Sequence, residues 1–393
     1  MNRLEIFFWL CAGIVFYSFL GYGVLLLIWA WLKPLFRSAY RLSTEKFEPA
    51  VTLVIPCYNE ATALEEKIAN CLSLHYPADK CKLVFITDGS TDQSVDIIQK
   101  YPEIRLLHLP ERKGKTAAEN RAMQFVQTPV VIFSDANALL NPEAIREMVK
   151  HFADERTGCV AGAKKIAVPR AANAGTAGEG MYWHYESWLK QLDSQCNSAV
   201  GAAGELVAFR TDLYRPLPED TILDDFMQSM QIAAEGYRVV YEPKACATEK
   251  GSANVEEELK RKIRIATGSW QAMKRLRGIL RWQKTPVLCF QYFSHRILRW
   301  AVTPVLLIVV WLLNMILWVA GKPVYVYFFY GQVLFYLTAW IGYLLRNRKL
   351  LLQWFFIPYY FCVMHYAVLA GWVQYKTPKN LTGIWEKAVR SDN

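Results

Sequence analysis

Two short runs of the chain are apolar at nearly every position, Lys82 to Ile86 and Pro129 to Phe133, and Val51 to Ile55 and Ile104 to Leu109 mark two further strands. A run this short with no wet face predicts a strand buried on both sides, as in a parallel sheet. The segments between them switch to helical spacing. Asn59 can cap a helix opening at Glu60, with Leu64, Ile68 and Leu72 on one face; Val95, Ile97 and Ile98 mark a second helix, and Lys115 to Phe125 a third. Strand and helix alternate closely, which predicts right-handed βαβ units. Beyond Asn141 the pattern loosens. It predicts a helix through Ile145 and Met148, strands at Val160 to Val168, Gly201 to Arg210 and Arg238 to Pro243, and a helix from Leu223 to Ala234. The small residues of Ala171 to Gly180 predict a mobile loop.

The two ends follow a third pattern. Leu4 to Leu32 carries one charge, Glu5, and is long enough to cross a hydrocarbon core of about 30 Å. Further apolar spans run from Ala301 to Ala320, Val324 to Leu345 and Leu350 to Tyr375, and no window between Lys46 and Lys284 could span. The expected layout is a transmembrane helix over 1–33, a catalytic domain over 48–270, amphipathic interface helices over 271–300, about three transmembrane helices over 301–375 and a basic tail over 376–393. Lys33, Arg37, Arg41 and Lys46 follow the first span, so the positive-inside rule puts the polar domain in the cytoplasm. The expectation is an integral membrane protein, of a bacterial inner membrane. The basic residues of the tail (Lys376, Lys379, Lys387, Arg390) and of the loop at Arg346, Arg348 and Lys349 give opposite orientations for the last segment.

Charge and cysteine content remove other classes. Lys and Arg exceed Asp and Glu by 45 to 35, but the excess lies beside the apolar spans, where anionic lipid is a simpler partner than nucleic acid. The nine cysteines show neither Cys-x-x-Cys pairs nor zinc spacing, and in a cytoplasmic domain they stay reduced as core residues.

Three acidic clusters give the chain its chemistry. Thr87-Asp88-Gly89-Ser90 ends the second strand, Ser134-Asp135-Ala136-Asn137 ends the fourth, and Leu223-Asp224-Asp225 opens a helix. Ligands of open α/β sheets bind beyond the carboxyl ends of the strands, so carboxylates delivered there predict a site for a cation and a phosphorylated ligand. Adjacent helical residues point about 100° apart, so at most one of Asp224 and Asp225 faces a given substrate.

In this order, over roughly Ala50 to Gln271, these motifs resemble the family 2 glycosyltransferases of GT-A fold, particularly the cellulose, hyaluronan and poly-N-acetylglucosamine synthases. The resemblance implies a Rossmann-like nucleotide-diphospho-sugar transferase domain. Ile55-Pro56-Cys57-Tyr58-Asn59-Glu60 resembles the opening motif, so Pro56, Tyr58 and Glu60 would hold the nucleotide with Asp88. Lys115, in Lys113-Gly114-Lys115, and Asn120 match a basic stretch near it. Asp135 and Asn137 match the Asp-x-Asp element that holds Mg²⁺ or Mn²⁺ on the diphosphate, with an uncharged amide in the second place. Gly204 and Glu205 fall in the glycine-rich segment beside the acceptor. Asp225 matches the catalytic base and Asp224 its neighbour. Arg261 to Ile265 falls where synthases carry Gln-x-x-Arg-Trp: Arg264 keeps the arginine, Arg261 replaces Gln and Ile265 replaces Trp. Arg261 and Arg264 would meet the diphosphate, while the aromatic platform for a long product is lost unless Trp270 or Trp183 supplies it.

The implied reaction is inverting transfer of a sugar from a UDP-linked donor to a lipid-linked or growing polysaccharide acceptor. A non-processive lipid glycosyltransferase making short products is the alternative within enzymes. A transporter with a regulatory nucleotide-binding domain would need charged or helix-breaking positions deep in its spans, and the spans show few: Pro304 and Asn314 in one, Pro358 and His365 in another.

Overall fold

The computed structural model describes residues 2–36, 47–167, 174–251, 255–345 and 353–377. Arg37, Arg41, Lys46, Arg346, Arg348, Lys349, Lys379, Lys387 and Arg390, on which the orientation expectation rests, lie outside the described residues, as do positions 171–173 of the expected loop.

One sheet organises the polar domain. Its strands are β1 (Val51–Cys57), β2 (Cys81–Asp88), β3 (Ile104–Leu109), β4 (Val130–Phe133), β5 (Leu139–Leu140), β6 (Thr157–Ala167), β7 (Val207–Arg210) and β8 (Arg238–Lys250), in spatial order β3-β2-β1-β4-β7-β6-β8-β5. The first four are parallel, as the apolar runs predict. The second half departs from an all-parallel sheet. β7 runs antiparallel to both β4 and β6, β5 antiparallel to β8, and β6 pairs with β8 in parallel. The strand expected from Gly201 is only Val207–Arg210; Gly201 has φ +89 and turns the chain against the Phe226 ring instead.

Successive residues of β1 feed opposite faces, as the two-residue period of a strand requires. Val54 joins Val84, Val131, Met227 and Met230 on one side, whereas Leu53 and Ile55 join Leu64, Ile68, Phe85 and Met148 on the other. Helices cover both layers. α1 (Arg3–Phe16) and α2 (Tyr22–Phe36) form the first apolar rod; α3 (Ala61–Leu72), α4 (Ser94–Gln99), α5 (Lys115–Met123) and α6 (Ala144–Val149) follow strands of the parallel half. Then come α7 (Ala174–Cys196), α8 (Asp224–Ala234) and α9 (Val255–Arg275). Most of the expected mobile loop is thus the start of a 23-residue helix. The nine cysteines are unpaired, and all but Cys81 and Cys362 are buried.

Four described helical segments are long and apolar enough to cross a membrane: Arg3–Lys33, Pro286–Val319, Pro323–Leu344 and Phe355–Lys376. The last three contain α10 (Pro286–Tyr292), α11 (Thr303–Val319), α12 (Pro323–Leu344) and α13 (Gln353–Lys376). The stretch expected as interface helices divides differently. A short 3₁₀ turn covers Arg277–Leu280, and α10 runs through the wide turns of Phe293–Val302 directly into α11. Those wide turns carry His295, Arg296 and Arg299, which meet carboxylates of α7. His295 Nδ1 lies 2.6 Å from Asp193, Arg296 2.6 Å from Glu186 and Arg299 3.1 Å from Glu186. Tyr22 of α2 donates to the other oxygen of Asp193 at 2.5 Å. α7 therefore ties the sheet domain to two apolar helices through the buried carboxylates of Glu186 and Asp193.

Candidate active site

The order of the strands reverses at β1, with β2 on one side and β4 on the other, a switch point beyond whose carboxyl ends the ligand crevice of an open α/β sheet lies. Asp135, two residues past β4, points into it. Lys115, the first residue of α5, donates to Asp135 at 2.8 Å and lies 3.7 Å from both Asp224 and Glu119. Burial opposes the ammonium, but Asp135, Asp224 and Glu119 outweigh it and hold its pKa well above the usual value. A Cβ built on Gly204 would stand 2.9 Å from Lys115 Nζ and 3.5 Å from Asp225 Oδ2, so the bare backbone lets both groups share this corner.

Asp224 and Asp225 open α8, where the helix dipole favours acids. Their loop is clamped from α9. Gln271 accepts from Ile222 N–H at 3.0 Å and donates to the Asp220 carbonyl at 2.9 Å, and Arg275 grips the Asp220 carboxylate at 2.7 Å. The two acids diverge as helical geometry requires. Asp224 is buried toward Lys115 and Glu119; against its burial, the Lys115 charge and a hydrogen bond from Glu119 keep its pKa low. Asp225 is half-buried beside Gly204, and burial together with the Asp224 charge pushes its pKa up to about 7. Burial, first, and the Asp224 charge push the Glu119 pKa well above its usual value, while Lys115 pulls it down. Arg264 lies within electrostatic reach of Asp224, Asp135 and Asp225, and its pKa is lowered by burial and by Arg261. Arg261 itself is bonded to Glu258 at 3.0 Å.

The crevice holds a second acidic group. Asp135, Glu205 and Glu249 each bring a carboxylate oxygen within 4.8 Å of one another. Lys164 reaches from β6 to Glu205 and, at 2.7 Å, to Glu249. Three hard oxygen donors at this spacing fit a small divalent cation. Glu205, expected beside the acceptor, thus belongs to the acidic group, whereas Asn137 is half-buried two residues beyond Asp135.

At the other end of the crevice Arg112 stacks 3.6 Å over the ring of Tyr58. Asp88 accepts from the main-chain N–H groups of Lys113 at 3.0 Å and Gly114 at 2.7 Å, fixing the turn that leads into α5. Pro56 is the last residue but one of β1, Tyr58 follows the strand, and the Glu60 main-chain N–H donates to Ser94. Asn120 is not brought to the carboxylates; its amide donates to the Leu217 carbonyl at 2.7 Å and accepts from the Leu217 N–H. Trp270 faces Trp372 of α13, while the Trp183 ring lies 5.0 Å from Lys164 Nζ. Sequence reasoning missed Glu119, Lys164 and Glu249. Glu119 carried a local signal, one helical turn after Lys115. Lys164 and Glu249 carried none, being 85 residues apart.

Against known proteins, the profile of glycosyl transferase family 2 matches residues 52–214. That span holds Asp88, Lys115, Asp135 and Glu205, but ends before Asp224. Poly-beta-1,6-N-acetyl-D-glucosamine synthase of Staphylococcus aureus strain COL is 25% identical over 232 residues, 57% of this chain and 56% of that protein. The synthase of the same name from Staphylococcus epidermidis is 23% identical over 250 residues, 62% of this chain and 60% of that protein. The match spans somewhat over half the length of each relative. Among solved structures, the mannosyltransferase PcManGT from Pyrobaculum calidifontis, in complex with GDP-Man and Mn²⁺, superposes with a TM-score of 0.73 at 22% identity, covering 96% of this chain and 100% of that one. That likeness shows the fold: a GT-A fold domain, whose residues 52–214 match the profile of glycosyl transferase family 2, with long apolar helices on either side.

Proposed function

We propose that this protein is a membrane-bound inverting glycosyltransferase that moves a sugar from a nucleotide-diphosphate donor to a hydroxyl of a lipid-linked or growing polysaccharide acceptor. The observation that carries the proposal is the convergence of Lys115, Asp135, Asp224, Asp225 and Arg264 around Gly204, at the carboxyl end of the parallel strands. A divalent cation, Mg²⁺ or Mn²⁺, would be held by Asp135 with Glu205 and Glu249 and would supply charge neutralisation on the leaving diphosphate. Lys115 and Arg264 add positive charge at the same place, where it grows in the transition state. Asp225, with a pKa near neutrality, takes the proton of the attacking hydroxyl. Asp224 keeps Lys115 in position and Glu119 holds Asp224. The base and ribose of the donor would lie toward Tyr58, Glu60 and Asp88. A UDP-linked donor agrees with the synthases that this chain resembles; the GDP-Man of the mannosyltransferase makes GDP the nucleotide to test beside it. The domain is expected on the cytoplasmic side.

Ile265 gives a second reading its footing: with no aromatic face at that position, products would be short, of one or a few sugars on a membrane acceptor. Purified protein incubated with labelled UDP- and GDP-sugars, Mn²⁺ or Mg²⁺ and membrane lipids tests both. Transfer of label to lipid or polymer is the expected result, gel sizing separates short from long products, and absence of transfer from every donor overturns the proposal.

A further inference from the structure

One face of α7 looks inward, with Trp183, Glu186, Lys190 and Asp193 at three- and four-residue spacing. Its two carboxylates are charge-paired or hydrogen-bonded. Glu186 is met by Arg296 at 2.6 Å, Arg299 at 3.1 Å and His295 at 3.3 Å, and Asp193 by Tyr22, His295 and Gln291. Lys190 differs from both. It is 5% exposed, yet among the described residues no hydrogen bond and no ion pair reaches its ammonium. What it faces is the Trp183 ring, at 5.8 Å.

Buried polar groups are hydrogen-bonded with few exceptions, and an isolated buried charge is costlier still. Glu186, Asp225 and Glu205 act on it only from beyond ion-pair distance, so the ammonium has no direct counter-charge among the described residues. The neighbours show where the missing partner would sit. Lys164, which closes the Glu205–Glu249 pair, faces the same indole at 5.0 Å, so Trp183 stands one side chain from the acidic group. Lys262 approaches the ring at 5.8 Å and Tyr182 at 4.8 Å. Burial and Arg296 push the Lys190 pKa down while Glu186, Asp225 and Glu205 pull it up. The group therefore lies on the Asp225 and Glu205 side of the crevice. An aromatic face beside uncompensated positive charge fits a ring or chain carrying an anionic oxygen group.

We propose that Trp183 and Lys190 form the subsite that receives the acceptor, and that this acceptor carries a phosphate or carboxylate group, which Lys190 binds while the acceptor's body covers the Trp183 ring. The word acceptor rests on the transfer reaction proposed above; recognition of the anionic group does not. Trp183 thereby supplies from α7 the aromatic face that Ile265 lacks.

The test uses the full chain in neutral maltoside detergent and three short, monomeric probes, hexyl phosphate, hexyl glucuronide and neutral hexyl glucoside, with binding read by calorimetry. At least one anionic probe should bind about 10 to 100 times tighter than the glucoside, the scale of a charge-assisted hydrogen bond. Preference for the phosphate marks a phosphate-headed lipid, and preference for the glucuronide an acidic sugar. Lys190→Met should erase the preference, Lys190→Arg should keep it, and Trp183→Leu should weaken all three probes together. Equal binding of all three to the wild type, no binding of any, or a preference that survives Lys190→Met overturns the proposal. UDP and GDP binding with Mn²⁺, measured on the same samples, separates the two ideas. Nucleotide bound without probe preference sinks the subsite alone, and probe preference without nucleotide bound sinks the transfer reaction alone.

Discussion

Lys164 on β6 and Lys190 on α7 are both buried, and both turn an ammonium toward the indole of Trp183. On the strand wall the charge is matched. In the parallel register Lys164 pairs with Ala247, which puts Glu249 two positions further along the neighbouring strand, within reach of a long side chain. On the helix wall, Glu186 lies one turn before Lys190 but is held by two arginines and a histidine. One wall is thus assembled before any ligand arrives, and the other awaits its counter-charge. A buried ion pair that loses one member leaves a bare charge behind, whereas a lysine without a partner has no such pair to lose.

The heaviest blow is expected at Asp135, the residue proposed to hold the cation. Asp135→Ala should reduce turnover to background while the protein still folds and inserts, and chelation of the wild type should do the same until Mn²⁺ or Mg²⁺ is restored. Full activity in chelator would remove the metal from the mechanism.

Next in size is the base. Asp225→Asn should lower kcat by about 10²- to 10⁴-fold, the scale of general-base catalysis, with donor affinity little changed. Asp224→Asn, which loosens Lys115, should cost less, and a reversed ranking would move the base to Asp224. Because the Asp225 pKa stands at about 7 and only the deprotonated form accepts a proton, activity should fall as pH drops through that value and level off above it. Asp225→Asn should abolish that acid limb.

The comparison of lysines itself is tested by stability. Lys164→Met leaves Glu205 and Glu249 facing each other and should cost about 3–5 kcal/mol in denaturant unfolding. Lys190→Met, which removes a charge with no pair, should leave stability unchanged or raise it. Equal losses in the two variants would show that the walls are alike.

The smallest effect is expected at Gly204. A methyl group there meets only the flexible end of Lys115, at 2.9 Å, so Gly204→Ala should fold normally and lower kcat by about tenfold or less, the loss expected of a slightly displaced catalytic group. A wild-type rate would show that Lys115 has room to move.

Much of the first half could be read directly. Val51, Leu53, Val54 and Ile55 are wholly buried because β1 lies inside the sheet, and that burial wrote itself as an unbroken apolar run. Asp88 and Asp135 stand at the strand ends where the pattern put them. Other placements needed the third dimension. Glu205, read as part of a glycine-rich segment, lies beside Asp135 and Glu249; Asn120, read as near the nucleotide, bonds to the Leu217 main chain; and the small residues from Ala174, read as loop, begin a helix.

The division has a physical cause. Burial on both faces, the run of about 20 apolar residues that a bilayer demands and an acid at the end of a strand are properties of one contiguous segment, so the amino-acid order alone determined the parallel half-sheet, the long apolar helices and the places of Asp88, Asp135 and Asp225. The partners of those groups were decided only in three dimensions. Glu249 meets Lys164 across 85 residues because β8 lies against β6, Tyr22 meets Asp193 across 171 because α7 packs on the first apolar rod, and among the described residues Lys190 forms no ion pair while Arg296 and Arg299 hold Glu186. No local periodicity encodes such pairings; they follow from strand register and helix packing, which exist once the chain has closed on itself.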